Sequence, residues 1–164
     1  KYVRSKFIAE QICDYYREFM NIINIRMSNV YGPIMLERND LVPKMVKSII
    51  TNGSCEIWND KPIRDFIHVY DAADAFLKLL KTDFSGTVNM GTGISRPVSD
   101  IVKILENVSG KKIKVLNKPV EGHKEFQCDM SLLKSLIDWS PKYDLESGLK
   151  ETYETMEKWV GGNG

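Results

Sequence analysis

Residues 22–27 read IINIRM, a short and nearly continuous apolar run. A run of this kind is typical of a strand buried in a parallel sheet, which helices cover on both faces. The apolar side chains of the preceding residues recur at helical spacing, at Ile8, Ile12, Tyr15 and Phe19. A helix next to a parallel strand predicts the repeating unit of an α/β protein.

Helical and strand patterns alternate along the rest of the chain. Further strands are predicted at residues 56–58, 66–69, 87–90 and 113–116, and further helices from residues 40, 71, 99, 132 and 145. Asp71 opens a stretch with capping-box spacing, and Ser99 is predicted to cap the next helix. Gly53 and Gly110 are predicted to end the helices that precede them. No repeat or linker interrupts the pattern, so we expect one α/β unit.

Length and composition describe an ordinary globular protein. The 164 residues can bury a real core, and a net charge of +1 gives no electrostatic reason to expect nucleic acid or a membrane as partner. Cys13, Cys55 and Cys128 lie far apart in the sequence, which predicts reduced thiols, no metal site and a cytoplasmic location. The first residue is Lys1, inside a predicted helix, so we expect the chain to be part of a longer protein.

The pair Tyr2 and Lys6 carries the strongest chemical signal. Residues four apart are neighbours on one face of a helix. An ammonium beside a phenol favours the phenolate, and such a phenol can give or take the proton of a sugar or alcohol hydroxyl during hydride transfer. The same pattern also occurs by chance on surface helices, so the pair gains meaning only from the motifs that follow it.

Those motifs occur in a distinctive order. After Tyr2-x-x-x-Lys6, with Glu10 one turn further on, come RMSNVYGP at residues 26–33, DLVP at 40–43, RDFIHVYD at 64–71 and VNMGTG at 88–93, then Asp129 and WSP at 139–141. The ordered set resembles the carboxyl-terminal half of the extended short-chain dehydrogenase/reductases, the NAD-dependent nucleotide-sugar epimerases and dehydratases. The resemblance covers essentially the whole chain.

The resemblance implies an α/β fold that combines the carboxyl-terminal part of a Rossmann-type doubly wound domain with a small substrate-binding domain. Residues 1–33 would be the last part of the dinucleotide-binding domain, with the catalytic helix and the following strand. Residues 34–164 would be mostly substrate-binding domain, with segments that return to the cofactor domain. The family's glycine-rich loop and catalytic Ser or Thr would precede Lys1, and the parent protein would be a homodimer.

The resemblance also implies roles at the cofactor, which is expected to be NAD, with NADP as the alternative. Tyr2 would be the acid/base that shuttles the proton of the sugar hydroxyl. Lys6 would hold the nicotinamide ribose, so that both residues are catalytic and cofactor-binding. Tyr31 would lie where the chain turns beside the nicotinamide, as a further cofactor contact.

The substrate implied by the resemblance is a nucleotide-diphosphate sugar. Asn29 would bond the diphosphate, Leu41 would pack near the nucleotide base, and Arg64 would pair with the diphosphate through its planar fork. The residues by themselves leave other interpretations open. Asn29 could cap the turn after its strand, and Arg64 could be a surface partner of Asp65, which is itself more typical of a structural carboxylate.

Other notable side chains are interpreted as structural. His68 lies in an apolar strand pattern, which is more typical of a core histidine than of a catalyst. Trp58, Trp139 and Trp159 are interpreted as core or helix-packing residues.

One segment departs from the family pattern. Many members have Arg-x-Gly-Asp shortly before the aspartate that Asp129 matches, and its arginine grips the nucleotide. Residues 120–123 here read VEGH. A valine cannot bind a diphosphate, so we expect either that Lys118 or Lys124 substitutes or that the nucleotide is held differently.

The favoured function is that of a fragment of an NAD-dependent nucleotide-sugar 4-epimerase, which acts through a transient keto-sugar. A nucleotide-sugar 4,6-dehydratase and an NADP-dependent reductase of small carbonyl compounds are alternatives within the same superfamily. A nucleotide-sensing relative without catalysis is the non-enzyme alternative, and the retention of Tyr2 and Lys6 argues against it. The chain by itself is expected to be inactive.

Overall fold

A computed structural model describes residues 1–35, 37–119 and 122–162. The helices, in chain order, are α1 (Tyr2–Tyr16), α2 (Leu41–Asn52), α3 (Val69–Leu79), α4 (Val98–Ser109), α5 (Ser131–Leu136) and α6 (Leu145–Gly161). The strands are β1 (Ile23–Met27), β2 (Asn29–Tyr31), β3 (Cys55–Ile57), β4 (Ile63–His68), β5 (Gly86–Met90), β6 (Ser95–Pro97) and β7 (Ile113–Val115). The predicted alternation of helices and strands is confirmed, although β2 and β6 have no counterpart in the prediction.

The described strands pair in three small sheets. Strand β1 runs parallel to β5, and β3 runs parallel to β7. In the third sheet β4 lies in the centre, parallel to β2 and antiparallel to β6. The strand predicted at residues 22–27 is therefore parallel, as expected, but only its first residues are half-buried and Met27 is exposed. Within the described residues β1 has a strand neighbour on one side alone, which explains its partial burial.

Two hydrophobic cores lie on the two faces of β4. The first contains buried side chains of α2, α4 and α6 together with β3 and β7. The second contains side chains of α3, α5 and β5. Phe66 packs in the first core and its neighbour Ile67 in the second, because successive side chains of a strand point to opposite faces. The second part of β4, residues 65–68, is therefore fully buried between the two cores.

Helix α1 differs from the other long helices because none of its residues is buried. Its large apolar side chains are exposed among the described residues, at Tyr2, Val3, Phe7, Ile8, Ile12, Tyr15 and Tyr16. The helical spacing predicted for this segment is confirmed, but no other part of the described structure buries the apolar side of the helix. Polar contacts therefore have a large share in placing α1.

The predicted helix ends are confirmed where they depend on glycine. Gly53 follows α2 with φ of 65°, and Gly110 follows α4 with φ of 67°. In both cases the glycine N–H donates to the carbonyl oxygen four residues earlier, at Ile49 and Glu106. Glycine adopts this left-handed conformation without steric cost, which is why the sequence signal was reliable.

The predicted N-caps at Asp71 and Ser99 are wrong. Helix α3 already begins at Val69, and the Asp71 carboxylate accepts hydrogen bonds from the backbone N–H groups of Lys142 and Tyr143, at 2.9 and 3.0 Å. Helix α4 begins one residue before Ser99, whose own N–H donates to a distant carbonyl. Both polar residues serve long-range contacts instead of local caps.

The cysteines agree with the expectation of reduced thiols. Cys13, Cys55 and Cys128 all carry free thiols. Across the described ranges, no helix combines the length and the apolar character that crossing a bilayer would need.

Candidate active site

A cleft of about 1010 Å³ lies between α1 and β1 on one side and α2, β3 and β4 on the other. Its walls contain every predicted site residue except Tyr31, namely Tyr2, Lys6, Asn29, Leu41 and Arg64. These residues come from two helices and two strands that are far apart in the sequence. The fold thus brings together side chains that the sequence could relate only through resemblance.

Tyr2 and Lys6 meet on the cleft side of α1. The Lys6 ammonium lies over the face of the Tyr2 ring, with Nζ 5.5 Å from the ring centroid. This distance is within the range of a cation–π contact. The Tyr2 side chain is 73% exposed, so its hydroxyl is accessible to a molecule in the cleft.

Glu10 continues the same helical row, one turn beyond Lys6, and makes a two-pronged ion pair with Arg26 of β1. The Arg26 Nε and a terminal nitrogen donate to the two carboxylate oxygens at 2.7 and 2.6 Å. The hydrogen bond from Arg26 holds the pKa of the Glu10 carboxyl below its usual value. Both side chains line the cleft.

Arg64 lies on the cleft wall but is already partly engaged. Its guanidinium donates to the backbone carbonyls of Ile63 and His123 at 2.7 Å each, and to that of Lys124 at 3.2 Å. Both terminal nitrogens of the guanidinium therefore take part in fastening the segment around His123 to β4, with three N–H groups in use. A guanidinium has five N–H donors, so donors remain for an anion in the cleft.

Asp65 has a structural role, as predicted, and it is fully buried. Its carboxylate accepts hydrogen bonds from the Thr92 N–H and hydroxyl at 2.9 and 2.7 Å, and from the N–H groups of Gly93 and Cys128 at 2.9 and 3.3 Å. It makes no ion pair with Arg64 in the described structure. Two amides of the glycine-containing turn at residues 91–93, those of Thr92 and Gly93, are thus bound to this carboxylate, and the Gly91 N–H donates to the Met130 sulfur at 3.2 Å. These amides are therefore not free to hold a phosphate.

Asn29 and Leu41 occupy the ends of two elements at the cleft. Asn29 is the exposed first residue of β2, opposite Phe66 of β4. Leu41 is the first residue of α2, partly buried against the first core. The position of Asn29 gives its amide access to the cleft, whereas Leu41 offers an apolar surface there.

Tyr31 does not join the other predicted site residues. Its side chain is 2% exposed and packs in the first core, with its ring centroid 5.3 Å from that of His68. Burial raises the pKa of its phenol. The absence of a side chain at Gly148 of α6 leaves the space that the Tyr31 hydroxyl fills. The cofactor contact predicted for the Tyr31 side chain therefore has no support in this geometry, because helix α6 covers the ring.

Comparison with known proteins identifies the family. The sequence pattern of the NAD dependent epimerase/dehydratase family matches residues 1–91, more than half of the chain. The chain belongs to this family. It spans about half the length of the curated relatives it matches.

Its relatives within the family carry out different reactions. The chain is 32% identical to UDP-glucuronate 4-epimerase of Thermodesulfobacterium geofontis, over 92% of this chain and 48% of the relative. It is 29% identical to dTDP-4-dehydro-6-deoxy-D-allose reductase of a Streptomyces species, over 92% of this chain and 48% of the relative. The crystal structure of UDP-glucose 4-epimerase from Thermotoga maritima with UDP-glucose superposes with a TM-score of 0.82 at 26% identity, over 96% of this chain and 52% of that one. These likenesses establish the epimerase/dehydratase fold but leave the specific reaction open.

Trp58 is a cleft residue of this family member that was not predicted from the sequence. Its side chain is 63% exposed and lines the cleft at the end of β3, so its interpretation as a core residue is wrong. Trp159 is also exposed, at 58%, whereas Trp139 is buried as predicted. The available signal was the position of Trp58 directly after a predicted strand, because ligands of parallel α/β sheets bind beyond the carboxyl ends of the strands.

Lys118 lies beside Trp58, with Nζ 5.9 Å from the ring centroid. Its backbone N–H donates to the Trp58 carbonyl oxygen at 2.8 Å. Of the two lysines expected to replace the family arginine, Lys118 is therefore the one next to a cleft residue. Residues 120 and 121, on which the departure from the family pattern falls, lie outside the described residues.

His68 is a core residue, as predicted, and only 1% exposed. Its ring stacks on Tyr143 with centroids 3.8 Å apart and meets the edges of Tyr31 and Tyr70. Neither ring nitrogen has a hydrogen-bond partner among the described residues, and Nε2 is 3.6 Å from a Glu151 carboxylate oxygen. Burial lowers the pKa of His68, so the ring is neutral near neutral pH.

Proposed function

We propose that this chain is the carboxyl-terminal part of an NAD-dependent nucleotide-sugar 4-epimerase. Residues 1–33 would complete the dinucleotide-binding domain, and residues 34–164 would form most of the substrate-binding domain. The observation that carries the proposal is that the Tyr2 and Lys6 pair lines the same cleft as Asn29 and Arg64. A proton-transfer group and groups suited to a diphosphate thus face one ligand-sized space.

In this proposal Tyr2 removes the proton of a sugar hydroxyl as hydride leaves the same carbon, and a transient keto-sugar results. Tyr2 returns the proton after the hydride has come back to the other face of the sugar. The ammonium of Lys6 lies over the Tyr2 ring, so a positive charge is close to the side chain that takes up the proton. The exposure of Tyr2 lets the hydroxyl reach a sugar in the cleft.

The cleft residues fit one end of the cofactor. Lys6 and Tyr2 present an ammonium and a phenol, which suit the hydroxyl groups of a nicotinamide ribose, and bound NAD would supply the hydride acceptor. The turn at residues 91–93 does not fit the pyrophosphate, because the N–H groups of Thr92 and Gly93 bind Asp65 and that of Gly91 donates to the Met130 sulfur. We expect the family's glycine-rich loop, in the part of the parent protein before Lys1, to hold that group.

The opposite part of the cleft suits the nucleotide of the substrate. Arg64 has donors left for the diphosphate, and the Asn29 amide can donate to the same group. The exposed face of Trp58 can stack on a nucleobase, with the positive charge of Lys118 close by. Leu41 supplies an apolar contact near the base.

A reductase is the second candidate, because one relative of nearly equal identity is a reductase of a dehydro-deoxy-sugar nucleotide. The two candidates differ in their redox balance. Epimerisation returns the hydride to the sugar and consumes no cofactor, whereas a reductase oxidises one NAD(P)H for each carbonyl group that it reduces.

The test uses the full-length parent protein with UDP-glucose and UDP-glucuronate as probes. We expect NMR to show conversion to the 4-epimer with catalytic NAD and with no net change in nicotinamide absorbance. Stoichiometric loss of NADPH with a keto-sugar probe, without epimer formation, would favour the reductase. Tyr2→Phe should slow either conversion by about 10²–10⁴-fold, whereas full activity of Tyr2→Phe would exclude both proposals.

A further inference from the structure

We propose that Arg26 is a positioning residue: by binding both carboxylate oxygens of Glu10, it prevents Glu10 from pairing with Lys6 and thereby leaves Lys6 over Tyr2. The role assigned to the Lys6–Tyr2 contact rests on the proposed function. The position of the Lys6 side chain over the Tyr2 ring can be measured without any reaction.

The row formed by Tyr2, Lys6 and Glu10 gives Lys6 two competing neighbours. Each residue is four positions from the next, so Lys6 lies between a phenol and a carboxylate on one helix face. A lysine and a glutamate at this spacing can form a helical ion pair, although the order with the glutamate first gives the stronger pair. The structure shows no such pair, and the Lys6 ammonium lies over the Tyr2 ring instead.

Arg26 explains this choice. Its guanidinium occupies both oxygens of Glu10 at 2.7 and 2.6 Å, and a two-pronged arginine–carboxylate contact is the stronger and more specific of the two possible pairs. Glu10 is 20% exposed whereas Arg26 is 61% exposed, so the carboxylate is drawn toward β1 and away from solvent. Lys6 is then left without its carboxylate neighbour.

Stability alone does not account for this ion pair. Exposed ion pairs contribute little to folding, and Arg26 is mostly exposed. Helix α1 has no buried residue in the described structure, so its side chains take the positions that polar contacts give them. The other side-chain bond from this region to a strand is made by Arg17, just after α1, to the Thr87 hydroxyl at 3.1 Å, and it does not involve the cleft row.

The test compares Arg26→Met with the double variant Arg26→Met/Glu10→Gln in the 164-residue chain. NMR reports the position of Lys6, because side-chain protons over an aromatic ring are shifted upfield. Removal of Arg26 is expected to free Glu10 to pair with Lys6, with loss of the upfield shift of the Lys6 ε-protons. Replacement of Glu10 by neutral glutamine in the same background is expected to restore the shift.

Two further variants serve as controls. Tyr2→Leu removes the ring and identifies the shifted signals, and Arg17→Met loosens the end of α1 without touching Glu10, so it should leave the Lys6 signals unchanged. Retention of the shift in Arg26→Met would overturn the proposal. Loss of the upfield shift in both Arg26→Met and the double variant would also overturn the proposal. Arg26 would then act only by holding α1 in place. Absence of the upfield shift in the unmodified chain would overturn the proposal as well, because Lys6 would then not lie over the Tyr2 ring.

A second arm uses the full-length parent protein with UDP-glucose or UDP-glucuronate. Arg26→Met is expected to lower kcat while KM stays unchanged, and the added Glu10→Gln change is expected to recover kcat. A rise in KM without a change in kcat in Arg26→Met would contradict the positioning role of Arg26. If the NMR pattern holds but the parent shows no turnover with either sugar, the proposed function fails and the positioning role of Arg26 stands.

Discussion

Tyr2 and Arg64 have different proposed tasks, so their replacement is expected to change different kinetic constants. Tyr2→Phe removes the proton-transfer group and keeps the ring under Lys6. General acid–base catalysis typically contributes about 10²–10⁴-fold, so kcat of the parent enzyme should fall by that range with little change in KM. Steady-state assays with UDP-sugars would measure both constants.

Arg64→Ala is expected to show the opposite pattern. It removes a contact to the diphosphate that ground and transition states share, so KM should rise by an amount that corresponds to roughly 1.5–3 kcal/mol. Arg64 also binds the carbonyls of His123 and Lys124, and thermal unfolding measured in parallel shows how much this loss matters. Arg64→Lys keeps the charge without the fork and should give an intermediate KM. An unchanged KM in Arg64→Ala would exclude the diphosphate role.

His68 is expected to make folding sensitive to mild acid. The unfolded chain takes up a proton at the ordinary histidine pKa of 6.5, whereas burial holds the folded pKa lower. The unfolded state therefore binds more protons in this window, and stability falls as pH drops from 6.5 toward the folded value. His68→Phe retains the stacking on Tyr143 and should flatten the dependence between about pH 7 and pH 5.5.

Urea denaturation at several pH values would measure this effect. His123, which lies in an exposed loop, provides the matched control, and His123→Gln should retain the full pH dependence. An equal slope in His68→Phe and the unmodified chain would assign the acid sensitivity to other groups.

Single residues also show where sequence reasoning stops. Tyr2, Lys6 and Arg64, which the resemblance assigns to the site, line one cleft, and their roles there stay predictions. The resemblance could not show that the Tyr31 side chain is buried, because its hydroxyl packs against Gly148 of α6, which is far from it in the sequence. The exposure of Trp58 likewise depends on how β3 ends at the cleft, a tertiary property that residue type does not encode.

At the scale of elements, the beginning of α6 depends on a cap that can be tested. The Asp144 carboxylate accepts a hydrogen bond from the Ser147 N–H at 2.7 Å, which lowers the pKa of Asp144. Asp144→Ala should cost about 0.5–2 kcal/mol of unfolding free energy, whereas Asp144→Ser should cost only a few tenths. The contribution of the carboxylate is present above its unfolded pKa of 3.8 and is lost as pH falls through the lower folded value.

Chemical denaturation of both variants at neutral pH would test the cap. The helix carries Leu149, Tyr153 and Met156 into the first core, so a weakened start should affect global unfolding. Equal losses in the alanine and serine variants would show that the carboxylate acts through something other than capping.

Helix ends illustrate which element boundaries a sequence can predict. Gly53 and Gly110 ended their helices as expected because the requirement is local, a left-handed residue with no side chain. Asp71 and Ser99 had equally good local signals for N-caps. Each instead makes a hydrogen bond to a segment distant in sequence, and the buried Asp71 carboxylate obtains two N–H donors there, from Lys142 and Tyr143.

At the scale of the molecule, strand β4 links the two parts of the proposed site. It lies between the two cores, and its residues Arg64 and Asp65 serve opposite sides. Arg64 faces the cleft, while Asp65 binds the turn at residues 91–93. The homodimer expected from the family stays a prediction, and the exposed apolar residues of α1 show that much of this helix has no covering layer within the described chain.

The 164-residue chain alone is expected to bind NAD weakly, despite its family. Dinucleotide-binding folds hold the pyrophosphate on free amides of a glycine-rich turn at a helix N-terminus. The sequence contains no such three-glycine fingerprint, and the N–H groups of Thr92 and Gly93 in its GTG turn already donate to the buried Asp65. Calorimetric titration should therefore show no saturable heat with NAD up to millimolar concentration, whereas the parent protein should bind. Micromolar affinity of the chain alone would show that its cleft supplies the pyrophosphate contacts, and the division of the proposed site between this chain and a preceding segment would be wrong.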